Sequence, residues 1–373
     1  MPSSLKALPK AELHIHLEGA MRFETLRELC AKHGLGAPVD TRGLKFENFG
    51  GFVDTYMSAC ACLRDEEDVV RLVREVAEDA RASGALWIEV ALSLLLYHER
   101  FGGITSTLQL ILRAAAAAET STGVGIGVIV AAERMTEFFP MSTAEDLARA
   151  TADLVRGGGA TIHGRPGIVG FGLHGDETGN PPEPFSGAFA SACACSYQGG
   201  GGGSAFRPAA LPHAGELQQS PSGGAASVRY CVEDLGARRI AHGVLAAGDP
   251  ALVARLAELR VCLDVCPSSN YLLSVVPSLA EHPLKRLLDA GVPCTINSDD
   301  PLLFGSSLLH EFDLCRAEMK LSDAELAACA RASFEHSHAP AAVKERGLAG
   351  IEAWCADVEA AAAAVHAPSP CPQ

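Results

Sequence analysis

The sequence has no run of lysine and arginine, no apolar stretch of about 18 residues and no Cys-x-x-Cys pair, and each absence closes a class of function. The formal net charge is −15, so a polyanion would be repelled and no nucleic-acid partner is expected. No membrane span is expected either, since the alanine run at 114–118 is short and ends at Glu119. Met1 to Leu13 lack the basic start and apolar centre of a secretory signal, which makes the cytoplasm the expected location. The thirteen cysteines are odd in number and scattered. Cys60-Ala-Cys62 and Cys193-Ala-Cys195 have one intervening residue, which suits buried free thiols better than zinc knuckles or redox pairs.

What is present is apolar material: 48% of the 373 residues are hydrophobic and 20% charged, enough for a large single core. Strand-like runs at Glu12–Leu17, Leu86–Leu92, Val124–Ala131, Gly167–Leu173, Ala209–His213, Arg239–His242, Val261–Val265 and Val292–Asn297 alternate with amphipathic stretches. Helices are expected over Glu66–Arg81, Thr105–Thr120, Thr143–Arg156, Ser222–Leu235, Pro250–Leu259 and Pro277–Ala290. In the first of these Val69, Val70, Leu72, Val73 and Val76 recur at helical spacing. Eight such strands imply an α/β fold, a (β/α)8 TIM barrel forming one domain over residues 1–359. A mostly helical insertion (Arg22 to about Ser83) follows strand 1, and extra helices lie at the C-terminal end. Five consecutive glycines, Gly199 to Gly203, mark 198–207 as a flexible insertion, and no Lys-Ser/Thr follows to make them a phosphate cradle. Residues 360–373, Ala-rich and then Pro-rich, are expected to fray.

The polar residues that could carry chemistry gather at strand ends. His14-Ile15-His16 places two imidazoles on one face of a strand, a spacing that suits two ligands of one metal ion and equally a surface pair. His213-Ala214-Gly215-Glu216 ends the fifth strand, and its glycine allows a sharp turn that returns the carboxylate toward the same site. His242 ends the sixth strand, and Asn297-Ser298-Asp299-Asp300-Pro301 follows the eighth. Singly, His213 reads also as a core histidine, Glu216 as a cap and Asp300-Pro301 as a turn. Jointly they lie at the face where barrels build their sites, and three His with one Asp make a sound zinc donor set.

The segment Pro9–Gly19 (PKAELHIHLEG) resembles the opening motif of the adenosine deaminase family. Gly167–Glu177 (GIVGFGLHGDE), His213–Glu216, Arg239–Gly243 and Asn297–Pro301 are similar to its later motifs in the same order, spanning roughly residues 8 to 335. The resemblance implies one Zn2+ held by His14, His16, His213 and Asp299. It implies Glu216 as the acid that protonates the substrate ring at N1, and His242 as the group that orients or deprotonates the water. Asp300 would bond N7, and the Gly175 N–H would contact N3. The implied reaction is hydrolytic deamination of a 6-aminopurine, a small-molecule substrate, with adenosine or deoxyadenosine first. Adenine, aminofutalosine and N6-substituted adenine nucleotides are the alternatives. Zinc acidifies water to a pKa of about 7, whereas the ring-protonating Glu216 must start as the acid, raised by burial, and Asp299 must stay ionised.

The chain departs from the family pattern at four places. Glu18 stands where nucleoside-specific members carry an Asp that contacts ribose. It could narrow the sugar site as a substrate-binding group, or simply cap the segment before Arg22. Gly172 replaces an Asp, Ala241 replaces a Gly, and His174 stands where a small residue is usual, as pocket lining, substrate contact or core histidine. Cys266-Pro267-Ser268-Ser269-Asn270 resembles a loop near the pocket, and Cys266 as nucleophile is disfavoured. Trp87, Phe46, Phe49 and Phe52 are core or lid. A related hydrolase with two metals would need a bridging lysine in Gly167–Leu173, which has none. A silent binding paralogue would have lost a ligand or the acid, and all are present. Nothing in the sequence sets an oligomeric state.

Overall fold

The computed structural model describes residues 4–46, 49–197, 205–217 and 223–366. Eight parallel strands form one sheet in chain order: β1 (Lys10–His16), β2 (Ala85–Leu92), β3 (Gly125–Glu133), β4 (Ile168–His174), β5 (Ala209–Ala214), β6 (Arg239–His242), β7 (Cys262–Val265) and β8 (Cys294–Ile296). Helices lie between them, so the expected (β/α)8 barrel is the fold. The ring closes where Ile15 bridges Asp299: His16 N–H donates to the Asp299 carbonyl at 3.0 Å, and Asp299 N–H donates to the His14 carbonyl at 3.2 Å. Asn297 strengthens that seam, its Oδ1 accepting the Leu13 and His14 N–H groups at 2.8 and 3.2 Å. Such parallel strands are buried on both faces, which explains their near-continuous apolar runs.

The helices are α1 (Phe23–Lys32), α2 (Phe49–Cys62), α3 (Glu66–Ala82), α4 (Ile104–Thr122), α5 (Met141–Arg156), α6 (Ser186–Ala194) and α7 (Gly224–Glu233). They continue as α8 (Pro250–Leu259), α9 (Pro267–Leu272), α10 (Leu284–Asp289), α11 (Pro301–Phe304), α12 (Leu308–Ala317), α13 (Asp323–Glu335) and α14 (Ala341–His366). Helix α3 shows why such segments form. Asp65 and Asp68 make a reciprocal capping box, three acidic residues occupy the positive first turn, and Val69, Leu72, Val73 and Val76 are buried. Val70 turns outward and is exposed, against the expectation that it joined the apolar stripe.

The mostly helical insertion expected after β1 is α1–α3, with a non-helical stretch at 35–46 between α1 and α2, and three expectations need correction. The helix expected over Pro277–Ala290 shortens to α10, because Pro283 can start a helix but cannot donate within one. The C-terminal helix α14 continues through 360–366, where fraying was expected. The third strand runs two residues beyond Ala131, to Glu133. Gln198 to Ser204 of the glycine-rich insertion and residues 367–373 of the tail lie outside the described residues.

Candidate active site

His14 and His16 alternate on β1 and both project into the mouth of the barrel, while His213 arrives from β5 and Asp299 from the turn after β8. His16 Nε2 lies 3.1 Å from His213 Nε2, and Asp299 Oδ1 lies 3.1 Å from His14 Nε2 and 3.4 Å from His16 Nε2. One donor atom from each of the four falls within 4.8 Å of the rest, and all four residues are buried. A tetrahedral ion bonded at about 2.0–2.2 Å holds its donors roughly 3.3–3.6 Å apart, so the set fits one metal. Burial holds His16 and His213 well below the usual imidazole range, which leaves neutral nitrogens. The His14 Nδ1 faces the Asp264 carbonyl at 3.2 Å, which orients the ring with Nε2 toward the cluster.

Backbone conformation is spent on this arrangement. Asp299 has φ 61° and His242 has φ 62°, a left-handed region that costs a non-glycine residue about 1–2 kcal/mol. Gly215, with φ 68°, makes the turn after His213, and a Cβ there would strike Val228 at 2.7 Å. At Gly19 a Cβ would fall 1.6 Å from Asp300 Oδ1, so the absent side chain is where that carboxylate sits.

Glu216 follows that turn with Oε1 3.4 Å from His242 Nε2. Burial, with the carboxylates of Asp299 and Glu177 nearby, pushes it well above the usual carboxylate range, the direction that favours the protonated acid. Asp299 is the opposite: burial would raise it, but the surrounding imidazoles hold it far below. His242 is drawn down to about 3, chiefly by burial. The cleft of about 620 Å³ is lined by His16, His174, Gly175, His213, Glu216, His242, Asp299 and Asp300, with Phe52, Tyr56, Leu96 and Phe139 as apolar walls.

Glu18 does not line this cleft. It sits behind Tyr56 and Ser93, accepting from Tyr97 Oη at 2.5 Å, Tyr56 Oη at 2.9 Å and Ser93 N–H at 3.2 Å. His174 is pocket lining, bonded through Nε2 to Glu133 Oε1 at 2.8 Å and near Ser93 Oγ at 3.3 Å. Cys266 is buried with Sγ 3.4 Å from His14 Nδ1, and burial pushes its thiol well up, which suits packing and not attack. Trp87 is core, and Phe52 stacks on Phe304 in the cleft wall.

Sequence reasoning missed Glu133, Arg134 and Glu177. Glu177 accepts the N–H groups of Gly215, Glu216 and Leu217 at 3.0, 3.0 and 3.2 Å, so one carboxylate sets the turn that presents the acid. Arg134 donates to the His213 carbonyl at 2.6 Å and fixes the end of β5. The signal for the Glu133-Arg134 pair is two charges closing an apolar strand run.

The adenosine deaminase family model matches residues 9–354. The chain belongs to the adenosine deaminase family. It is a hydrolase of a metal-dependent family whose members deaminate adenine-type compounds. It is 41% identical to the "Putative adenosine/adenine deaminase" of Streptomyces coelicolor over 93% of this chain and 96% of that protein. It is 35% identical to the aminodeoxyfutalosine deaminase of Acidothermus cellulolyticus over 84% and 83%. The crystal structure of an adenine deaminase from Arthrobacter aurescens superposes with a TM-score of 0.79 at 27% identity, covering 93% of this chain and 99% of that one. Among the described residues no helix is long and apolar enough to cross a membrane.

Proposed function

We propose that this deaminase uses one zinc ion, held by His14, His16, His213 and Asp299, to remove the 6-amino group of a small adenine-type purine, giving the 6-oxo product and ammonia. The observation that carries it is four convergent buried donors with the buried Glu216 carboxyl beside them, where burial favours its protonated form. When bound there, zinc acidifies water to a pKa near about 7. Glu216 holds its proton until ring nitrogen N1 takes it, which leaves C6 electrophilic; the water oxygen adds there, returning one proton to Glu216 and giving the other to the 6-amino group, which leaves as ammonia. Asp300 meets N7, and the Gly175 N–H meets N3. The walls of Phe52 and Leu96 exclude bulk water from the ring.

One observation favours the free base over the first expectation, adenosine. Both Glu18 oxygens are taken by Tyr56, Tyr97 and Ser93, so the carboxylate at the position expected to meet ribose has no unshared face for a sugar. Ammonia release from adenosine, deoxyadenosine, adenine and aminofutalosine, with amine release from an N6-methylated nucleotide, tests both levels. No turnover of any of them by zinc-loaded protein would remove the deaminase assignment. A higher kcat/KM for adenosine than for adenine would remove the base preference.

A further inference from the structure

Two buried residues behind His242 decide which of its nitrogens carries the proton. The backbone N–H of Leu284 donates to His282 Nδ1 at 3.1 Å. A backbone N–H cannot accept, so Nδ1 is bare and the neutral His282 ring carries its proton on Nε2. Burial supports the neutral ring, drawing His282 down to about 4. Its Nε2–H therefore donates to the Asn270 side chain, and the atom facing it at 3.1 Å is the amide oxygen. The Asn270 amide nitrogen is then the atom 3.3 Å from His242 Nδ1, and it donates there. Turning the amide over would set N–H against N–H at His282. With Nδ1 filled as an acceptor, the proton of neutral His242 sits on Nε2, which lies 3.4 Å from Glu216 Oε1 and 3.8 Å from Asp299 Oδ2. Asn270, His242 and His282 are 0%, 1% and 5% exposed, so solvent does not compete along the chain.

We propose that Asn270 and His282 are positioning residues that lock His242 as the Nε2–H tautomer, so that His242 enters the reaction as a hydrogen-bond donor and not as its base. Its remaining lone pair is on Nδ1 and engaged by Asn270, so neutral His242 has no open nitrogen for a second proton on the side of the cleft. Deprotonation of the water then falls to Glu216, once N1 has taken its proton. The link to the reaction rests on the function proposed above, but the tautomer does not.

The test is long-range 1H–15N correlation on zinc-loaded full chain labelled at histidine, with the His242 signals identified by their loss in His242→Gln. The expected spectrum has His242 protonated at Nε2 and bare at Nδ1. Asn270→Asp, whose carboxylate accepts from both neighbours, moves the His242 proton to Nδ1. His282→Leu frees the amide to turn, mixes the tautomers and lowers kcat about tenfold at constant zinc content and KM. His282→Gln can still donate to Asn270 and restores most of that rate. A wild-type His242 protonated at Nδ1 overturns the proposal, as does an unchanged tautomer in Asn270→Asp or an equal kcat in the Leu and Gln variants. The wild-type spectrum needs no substrate and no variant that must fold, so it separates failure here from failure of the deaminase assignment.

Discussion

The barrel encloses two buried clusters of charge, and they are built on opposite plans. Along the barrel interior Arg239 lies 2.6 Å from Glu89 Oε2 and 2.7 Å from Asp264 Oδ2, while His338 and the Trp87 indole N–H complete the Glu89 shell at 3.2 and 3.0 Å. At the mouth, Glu216, Asp299 and Asp300 line one cleft, and no Lys or Arg stands among the described residues lining it. The inner cluster meets its charges internally and is a structural element. The outer cluster gathers carboxyl groups with no Lys or Arg in the lining, the arrangement that the proposed zinc ion and substrate would complete. Burial and carboxylates alone do not mark a site; an unmet requirement does.

The sharpest separation of the two is metal removal. Chelation is expected to abolish ammonia release and lower Tm, because an ion that binds the folded state alone stabilises it by mass action. Zinc restores both. Activity that survives exhaustive chelation would show that the mouth cluster satisfies itself. Next in size, Glu216→Gln is expected to retain zinc and lose about 10³–10⁴ in kcat, with no fall in Tm, since a neutral amide replaces a carboxyl already neutral by burial. Zinc content, kcat and calorimetry check the three parts together.

The inner cluster gives the mirror experiment. Arg239→Met strands Glu89 and Asp264, and breaking a buried pair this way costs about 3–5 kcal/mol, read as the shift in urea midpoint. The pH dependence has a fixed sign. Burial alone would raise Glu89, but Arg239 outweighs it and holds the folded value well below the ordinary 4.5. Its contribution is therefore complete above about pH 4.5 and is lost as pH falls through the folded value. In Arg239→Met the carboxyl is no longer held down and burial raises it, so the stability gap between the two proteins narrows in acid. A gap that stays constant from pH 7 to 4 would break the assignment.

How far the two plans were legible follows from how each is encoded. The eight strands and the histidines, Glu216 and the Asp pair at their ends were readable because strand alternation and turn residues are local. The residues that support them were not. Glu133 and Arg134 end a strand that apolar patterning closes at Ala131, and Glu177 holds a turn 38 to 40 residues away. Asn270 and His282 act on His242 across α9 and the loop before α10, a connection set by how those segments pack. Glu18 was expected at the sugar, but two tyrosines from α2 and the segment after β2 claim it, and their approach is a property of the closed barrel.

The smallest effect bears on which substrate completes the outer cluster. Glu133 is tied to His174, and its Oε2 would lie 3.4 Å from a Cβ on Gly175, so a ring whose N3 meets the Gly175 N–H brings N9 toward this pair. Free adenine can present N9–H, a donor, to the Glu133 carboxylate. A nucleoside carries carbon at that nitrogen and cannot. A hydrogen bond to a charged group contributes about 1.5–3 kcal/mol, so Glu133→Gln is expected to lower kcat/KM for adenine by about tenfold or more relative to adenosine. An equal loss on both substrates would place Glu133 among the groups that only hold the wall, and would move the pair from the outer plan to the inner one.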